Sequence, residues 1–283
     1  MKICDLHTHS VFSDGTFTPA EIIAEAKKIG LSSVALCDHN TVNGLPDFWE
    51  AARDSGVKAV AGAEFSVDYG GKELHLLGLF IKPEHFPKVT ALMDEVIANK
   101  EKSNLELVAS LSRAGYVIDY EEVKRKNPQS AINRSHIADE LIEKGYVSSK
   151  NEAFNGILSP EAGHYKEPER LTLFEMIKFL RFIGAAPVLA HPFLNLSEEK
   201  LRKLLPPARL AGLIGMECYY STYSEETTEL SLKISEEFGI LPSGGSDFHG
   251  GGKPDISLGT GQGNLKIPNA WAKALENAAE NRP

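Results

Sequence analysis

The sequence predicts an α/β fold: a barrel of mainly parallel strands formed by residues 1–90 and 167–283, interrupted by a helical insert over residues 91–166. Three observations carry this expectation. Strand and helix patterns alternate up to about residue 90 and again after residue 167. Between them the chain changes to helix after helix with few β-branched runs. Its length, 283 residues, is what an α/β barrel uses as one unit.

The N-terminal part reads βαβαβ, with strand pattern over 2–7, 33–38 and 58–65 and helix pattern over 19–29 and 44–55. Such alternation demands a parallel sheet. The first helix is the best signalled, with Thr18 as N-cap, Pro19 at its first position, Glu21 in its first turn and Gly30 as its stop. Ile22, Ile23, Ala26 and Ile29 form its apolar stripe. Gly70-Gly71 between two apolar runs predicts a hairpin that returns His75 beneath or beside Glu64. In the insert, 90–111, 133–144 and 151–158 read as helices, with the charged run Glu121 to Lys126 between them. After it come a helix over 171–182, a buried strand over 186–190 running into His191-Pro192, and a strand over 213–219 containing Glu217. A helix over 222–238 is closed by Gly239, and a short strand over 240–244 leads into Gly245-Ser246-Asp247-Phe248-His249-Gly250. The Gly-rich stretch 250–263 is expected to be mobile, and 270–279 is a last amphipathic helix.

Composition narrows the function. Hydrophobic residues at 42% and charged residues at 24% are those of a globular enzyme with ample core. A net charge of -9 argues against a broad basic face for nucleic acid, so any phosphate site is local and bound cations supply part of its positive charge. Cys4, Cys37 and Cys218 are odd in number, far apart and inside apolar runs, which fits buried free thiols of a reducing compartment. With no secretion-type leader pattern and no apolar run near the ~20 residues that cross a bilayer, the expected location is the cytoplasm, with no membrane partner.

The chemistry concentrates at strand ends, where ligands gather in this fold. In Asp5-Leu-His7-Thr-His9-Ser-Val-Phe-Ser-Asp14-Gly15 the two histidines lie two apart, on one face of an extended chain, with their imidazoles converging. A lone His-x-His is a weak signal. Asp38-His39-Asn40 ends the second strand and Glu64 the third, and His75, His191, Asp247 and His249 follow. Imidazole and carboxylate without thiolate suit Mn²⁺, Fe²⁺ or Zn²⁺ in open catalytic sites. Nine such groups are too many for one ion and fit two or three. Asp5 and Asp38 either orient neighbouring imidazoles or cap turns. Glu217 is expected to hold a ligand in place rather than to ligate, whereas His85 and His164 read as solvated and Lys124 to Lys126 as a wet face.

On these stretches, together with Gly62-Ala-Glu, His75-Leu-Leu-Gly, Ala190-His-Pro and Gly215-Met-Glu, the sequence resembles the PHP (polymerase and histidinol phosphatase) phosphoesterases over nearly its whole length. The resemblance implies a distorted (β/α)7 barrel with three metals at the carboxyl ends of its strands. It implies that His7, His9, Glu64 and Asp247 hold one ion, that Glu64 bridges to a second held by His75 and His191, and that Asp14, His39 and His249 hold a third. The most similar subgroup has Arg-Pro-His-Ile-Ala in its insert and hydrolyses phosphate esters of nucleotides, including 3′,5′-bisphosphates and the 5′ ends of short RNAs. Here the stretch is Asn133-Arg134-Ser135-His136-Ile137-Ala138, with Ser135 in place of proline, and a histidine, His164, stands before Tyr165 where the subgroup has a small residue.

Two divalent ions about 3.5–4 Å apart share a water, lower its pKa and aim it at phosphorus, which makes a metal-bridging hydroxide the expected nucleophile. Arg134 offers a bidentate phosphate donor at a helix start that itself favours anions, and His136 is near enough in sequence to donate to the same phosphate. The catalytic set is therefore His7, His9, Glu64, Asp247, Arg134 and His136, with the insert as a lid. The expected function is a metal-dependent phosphoesterase of a small nucleotide of AMP or bisphosphate type. Its rivals are a histidinol-phosphate phosphatase, a 5′-3′ exonuclease on short RNA and a non-catalytic metal-binding module.

Overall fold

The computed structural model describes residues 2–281. In chain order, β1 (Ile3–Asp5), α1 (Pro19–Lys28), β2 (Ser33–Leu36), α2 (Leu45–Ala52), β3 (Lys58–Asp68) and β4 (Glu73–Leu79) lead into the helices α3 (Phe86–Arg113), α4 (Tyr120–Lys126), α5 (Arg134–Glu143) and α6 (Lys150–Asn155). Then follow α7 (Leu173–Phe182), β5 (Ala186–Leu189), α8 (Glu198–Ala211), β6 (Gly215–Tyr220), α9 (Glu225–Glu237), β7 (Leu241–Gly245), β8 (Ile267–Pro268) and α10 (Asn269–Glu280). The strands form one sheet in the order β7-β6-β5-β4-β3-β2-β1-β8. It curls until its ends meet: Leu6 N–H donates to Gly244 O at 3.2 Å, Asp247 N–H to His7 O at 2.9 Å, and Thr8 bridges Phe248 in parallel.

Pairing is parallel except around β4, which runs against both β3 and β5, and at the short β8, which runs against β1. The reversal of β4 distorts the barrel. It arises from the hairpin at Gly70 and Gly71, whose φ of +63° and +79° are open to glycine at little cost. Because β4 runs against its neighbours and begins where they end, His75 near its start lies at the same mouth as Glu64 on β3.

Alternation sets what lines the barrel. Cys4, Ala35, Val60, Leu77, Leu79 and Val188 pack inward with Leu275 and Ala279 of α10, which closes the end opposite the mouth. The opposite faces of the same strands, including Leu36, Phe65, Leu76 and Met216, pack against α1, α2, α7, α8 and α9. Glu64, His75 and Glu217 share parity with the inward set, so the interior turns from apolar to ionic toward the mouth.

The first helix has the expected cap: Thr18 accepts from Glu21 N–H while the Glu21 carboxylate accepts from Thr18 N–H. Thr18→Ala is expected to cost about 1 kcal/mol, read from the shift in a urea midpoint at unchanged slope. Helix α8 is an element the expected pattern lacked. Pro206 and Pro207 lie inside it on its exposed face, while Leu201, Leu204, Leu205 and Ala208 are buried at helical spacing. Strand β8 was also unforeseen, and the charged run Glu121 to Lys126 is itself helical as α4. The stretch 250–263, expected to be mobile, is instead tied down: Ile256 and Leu258 are buried and Gly259 N–H donates to Asp5 at 2.8 Å.

Helices α4 to α6 and the end of α3 gather around a hydrophobic cluster of their own, from Leu107 to Leu158. Ser130 ties this region to the loop after β1, donating to Val11 O at 3.0 Å. Cys4, Cys37 and Cys218 are free and buried. Among the described residues no helix is long and apolar enough to cross a membrane.

Candidate metal centre

Strand ends deliver the polar groups, and the backbone strains to aim them. Asn40, His191 and Asp247, just beyond β2, β5 and β7, have φ of +54°, +29° and +56°. For residues with a Cβ such conformations cost of order 1–3 kcal/mol and cluster where function requires them.

All nine expected ligand residues converge. Glu64 is the hub. Its Oε1 lies 2.9 Å from His75 Nδ1 and 2.9 Å from His191 Nε2. Its Oε2 lies 3.3 Å from the Nε2 of both His7 and His9 and 3.2 Å from His39 Nδ1. Asp247 Oδ1 is 3.2 Å from His9 Nε2 and 3.4 Å from His249 Nδ1. Asp14 Oδ1 is 3.1 Å from His249 Nε2 and 3.8 Å from His39 Nε2. His39 therefore stands between Glu64 and Asp14 rather than with Asp14 alone.

The donor atoms fit divalent cations. His7 Nδ1 lies 3.1 Å from the buried Glu217 carboxylate and must donate to it, which leaves an Nε2 lone pair. That Nε2 faces His9 Nε2 at 3.0 Å as well as Glu64. His249 Nδ1 likewise donates to Asp247 O at 2.9 Å, so its Nε2 lone pair meets Asp14 Oδ1, a buried oxygen without a hydrogen-bond donor. Lone pairs aimed at carboxylate oxygens repel unless a positive charge sits between them. Protons are one source: burial opposes charge on His75 and His9, yet Glu64 and Glu73 push His75 up to about 10, and Asp247 and Glu64 push His9 up to about 9. A divalent cation is the other. Burial works against ionisation of Glu64, but His75, His7 and His39 hold it well below the usual carboxylate range. Groups able to ligate together are His9, Asp14, His39 and His249; His7, His9 and Glu64; His7, His191 and Glu217; and His39, Glu64 and His75.

Supporting groups surround this core. Glu217 also accepts from His191 N–H at 2.7 Å, so it contacts two of the imidazole-bearing segments. Asp38 binds Ser10 and Ser13, and Asp5 binds Ser246, Gly259 N–H and His7 N–H. Both therefore cap loops and touch no imidazole ring. Tyr220 donates to Asp247 Oδ2 at 2.8 Å, and Lys253 reaches the same oxygen at 2.5 Å. Neither was foreseen, since both depend on how β6 and the loop after β7 meet.

A cleft of about 700 Å³, counting its open mouth, lies over the centre, with Asp14, His39 and His75 on its floor. Arg134, at the first position of α5, stacks on Tyr165 with its guanidinium carbon 4.2 Å from the ring centroid. Its Nη2 is 3.4 Å from Glu73 Oε2, which Arg170 Nη2 also approaches at 2.8 Å. Glu73 in turn lies 3.8 Å from His75 Nε2. Two residues before His75 on one strand, Glu73 was legible from alternation, whereas Lys100 and Arg170, also in the cleft, carried no sequence signal. His136 is not among the residues that line the cleft. Its Nδ1 accepts from Asn133 N–H at 3.2 Å in a capping box, and its buried Nε2 has no partner. His164 pairs with Ser110 at 2.9 Å, apart from the site.

The PHP domain model matches residues 5–157, more than half of the chain. A 5′-3′ exoribonuclease from Haemophilus influenzae is 31% identical over 88% of this chain and 90% of its own length. A 3′,5′-nucleoside bisphosphate phosphatase from Chromobacterium violaceum is 29% identical over 92% of this chain and 91% of its own. The structure of a candidate metal-dependent phosphoesterase from Bifidobacterium adolescentis superposes with a TM-score of 0.86 at 27% identity, covering 98% of this chain and 96% of that one. The distorted barrel, the convergent imidazoles and carboxylates, and these matches agree: the chain belongs to the PHP domain family.

Proposed function

We propose that this protein, a hydrolase of phosphate ester bonds, acts on a small nucleotide-like substrate with two or three divalent ions, Mn²⁺, Fe²⁺ or Zn²⁺, held by His7, His9, Asp14, His39, Glu64, His75, His191, Asp247 and His249. One observation carries this reading: the two oxygens of the buried Glu64 are shared among five imidazoles directly beneath a cleft walled by cations. Divalent ions bound there polarise phosphoryl oxygens and bring the pKa of water toward neutrality. The chain's own groups do the rest. Glu217 fixes the tautomer of His7, and Tyr220 holds the outer oxygen of Asp247 so that the inner one faces the imidazoles. Arg134, kept flat on Tyr165, presents its guanidinium to a phosphate entering the cleft. The orphan Nε2–H of His136 supplies a further donor once the insert, residues 91–166, closes over the substrate as a lid.

Metal analysis of the purified protein, coupled to a panel of 3′-, 5′- and bisphosphorylated nucleotides, tests the reading, and turnover of none of them by a metal-replete protein would refute it. Arg134→Ala is expected to raise KM about 10- to 100-fold with metal content retained, as loss of a charge-assisted hydrogen bond predicts. A second reading, 5′-3′ hydrolysis of short RNA, is favoured by the exoribonuclease relative. The net charge of -9 confines such a substrate to an end-bound oligonucleotide, so activity rising with oligomer length would move the assignment there.

A further inference from the structure

We propose that Ser135 is a further substrate-binding residue of the cleft, donating its hydroxyl proton to the substrate phosphate, and that Lys150 positions and polarises that hydroxyl. This rests on the phosphoesterase reading above. Ser135 lines the cleft beside Arg134, at the second position of α5. A proline there, as in the subgroup the sequence resembles, offers no donor. The backbone N–H groups of Ser135 and His136 are taken by the side-chain oxygen of Asn133, at 2.9 and 3.2 Å, so a further donor at this turn must come from a side chain.

Lys150 Nζ donates to Ser135 Oγ at 2.7 Å. A hydroxyl has one proton and two lone pairs, and the lysine occupies a lone pair, so the proton is left to donate. Among the described residues it meets no acceptor. Accepting from a cation also polarises the hydroxyl and makes it a stronger donor. The lysine is held by Asp139, 3.0 Å away, and its side chain is only 25% exposed. One helical turn after it comes Phe154, whose ring centroid lies 5.8 Å from the Arg134 guanidinium carbon, so one face of α6 backs both residues that α5 presents to the cleft. A Cβ built on Gly252 would lie 3.1 Å from Asp14 O, 3.3 Å from His249 Cβ and 4.0 Å from Lys150 Nζ, which puts Lys150 on the Asp14 and His249 side of the centre. Glu73 and Arg170 stand on the His75 side. A phosphate on the floor of the cleft supplies the acceptor that the Ser135 hydroxyl lacks.

The test titrates the metal-loaded protein with inorganic phosphate by calorimetry, beside steady-state kinetics on AMP, in wild type, Ser135→Ala, Ser135→Thr, Lys150→Met and the variant carrying both Ser135→Ala and Lys150→Met. Ser135→Ala is expected to weaken phosphate binding about 10-fold and to raise KM in proportion, with metal content and melting temperature unchanged. Ser135→Thr, which keeps the hydroxyl, should retain most of the affinity. Lys150→Met should weaken phosphate several-fold when Ser135 is present and not at all once it is alanine, the non-additivity of a residue that acts through another. A wild type that binds no phosphate, a Ser135→Ala protein that binds it as tightly as the wild type, or a Lys150→Met cost equal in both backgrounds overturns the assignment while leaving the phosphoesterase reading intact. Should no phosphorylated nucleotide be hydrolysed, that reading fails, and the phosphate affinities alone decide the role of Ser135.

Discussion

Glu64→Gln is expected to lower kcat/KM by on the order of 1,000-fold or more and to leave the purified protein depleted of divalent metal. The carboxylate is the anion that all of His7, His9, His39, His75 and His191 approach within 3.3 Å. The amide keeps its size but removes the charge and turns an N–H₂ donor toward imidazole nitrogens or toward any cation between them. Both halves of the cluster lose their shared carboxylate at once. Glu217→Gln supplies the contrast. Glu217 meets His7 Nδ1, on the side of the ring away from Glu64, so its loss should loosen the imidazole and cost roughly 10–100-fold with much of the metal retained. Metal analysis beside steady-state kinetics separates the two variants. Full metal and full turnover in Glu64→Gln would remove that residue from the centre.

What the sequence disclosed follows from how local each signal is. The nine ligand candidates were legible because they lie at or just beyond the ends of six strand patterns, and the barrel brings those ends to one rim. The reversed β4 was legible from Gly70-Gly71, since a tight hairpin needs two residues that accept positive φ. Helix α8 was not. Its Leu201, Leu204, Leu205 and Ala208 repeat at helical spacing, but Pro206-Pro207 reads as a breaker, and only the solvent exposure of those prolines makes them tolerable. The cleft walls were hidden for a different reason. Lys100 looks like any charged residue on a long helix, and Arg170 like any loop arginine, until α3 and the segment before α7 place them over the same floor. Asp5 and Asp38 could be read two ways. The choice fell to loop capping because serine hydroxyls and backbone N–H groups from distant segments, Ser10 and Ser246 among them, reach them first.

Gly245→Ala is expected to destabilise the protein by about 3 kcal/mol or more and to lower its melting temperature by roughly 6–12 °C. A Cβ at this position would sit 2.2 Å from His7 Cβ and 2.6 Å from His7 N, at the seam where β7 closes on β1. Neither atom belongs to a flexible side-chain tip, so relief requires the two strand ends to separate. That movement would stretch the bonds from Leu6 to Gly244 and from Asp247 to His7, the contacts that close the barrel. It would also displace His7 from Glu64 and Asp247, so activity should fall by more than the residual folded fraction explains. Gly71→Ala isolates the other way a glycine is needed. Its φ is +79° but a Cβ there meets open space, so its cost is conformational alone, about 1–2 kcal/mol, with kinetics unchanged. Equal activity per folded molecule in both variants would show that the seam can open without disturbing His7, and that the metal centre does not depend on barrel closure.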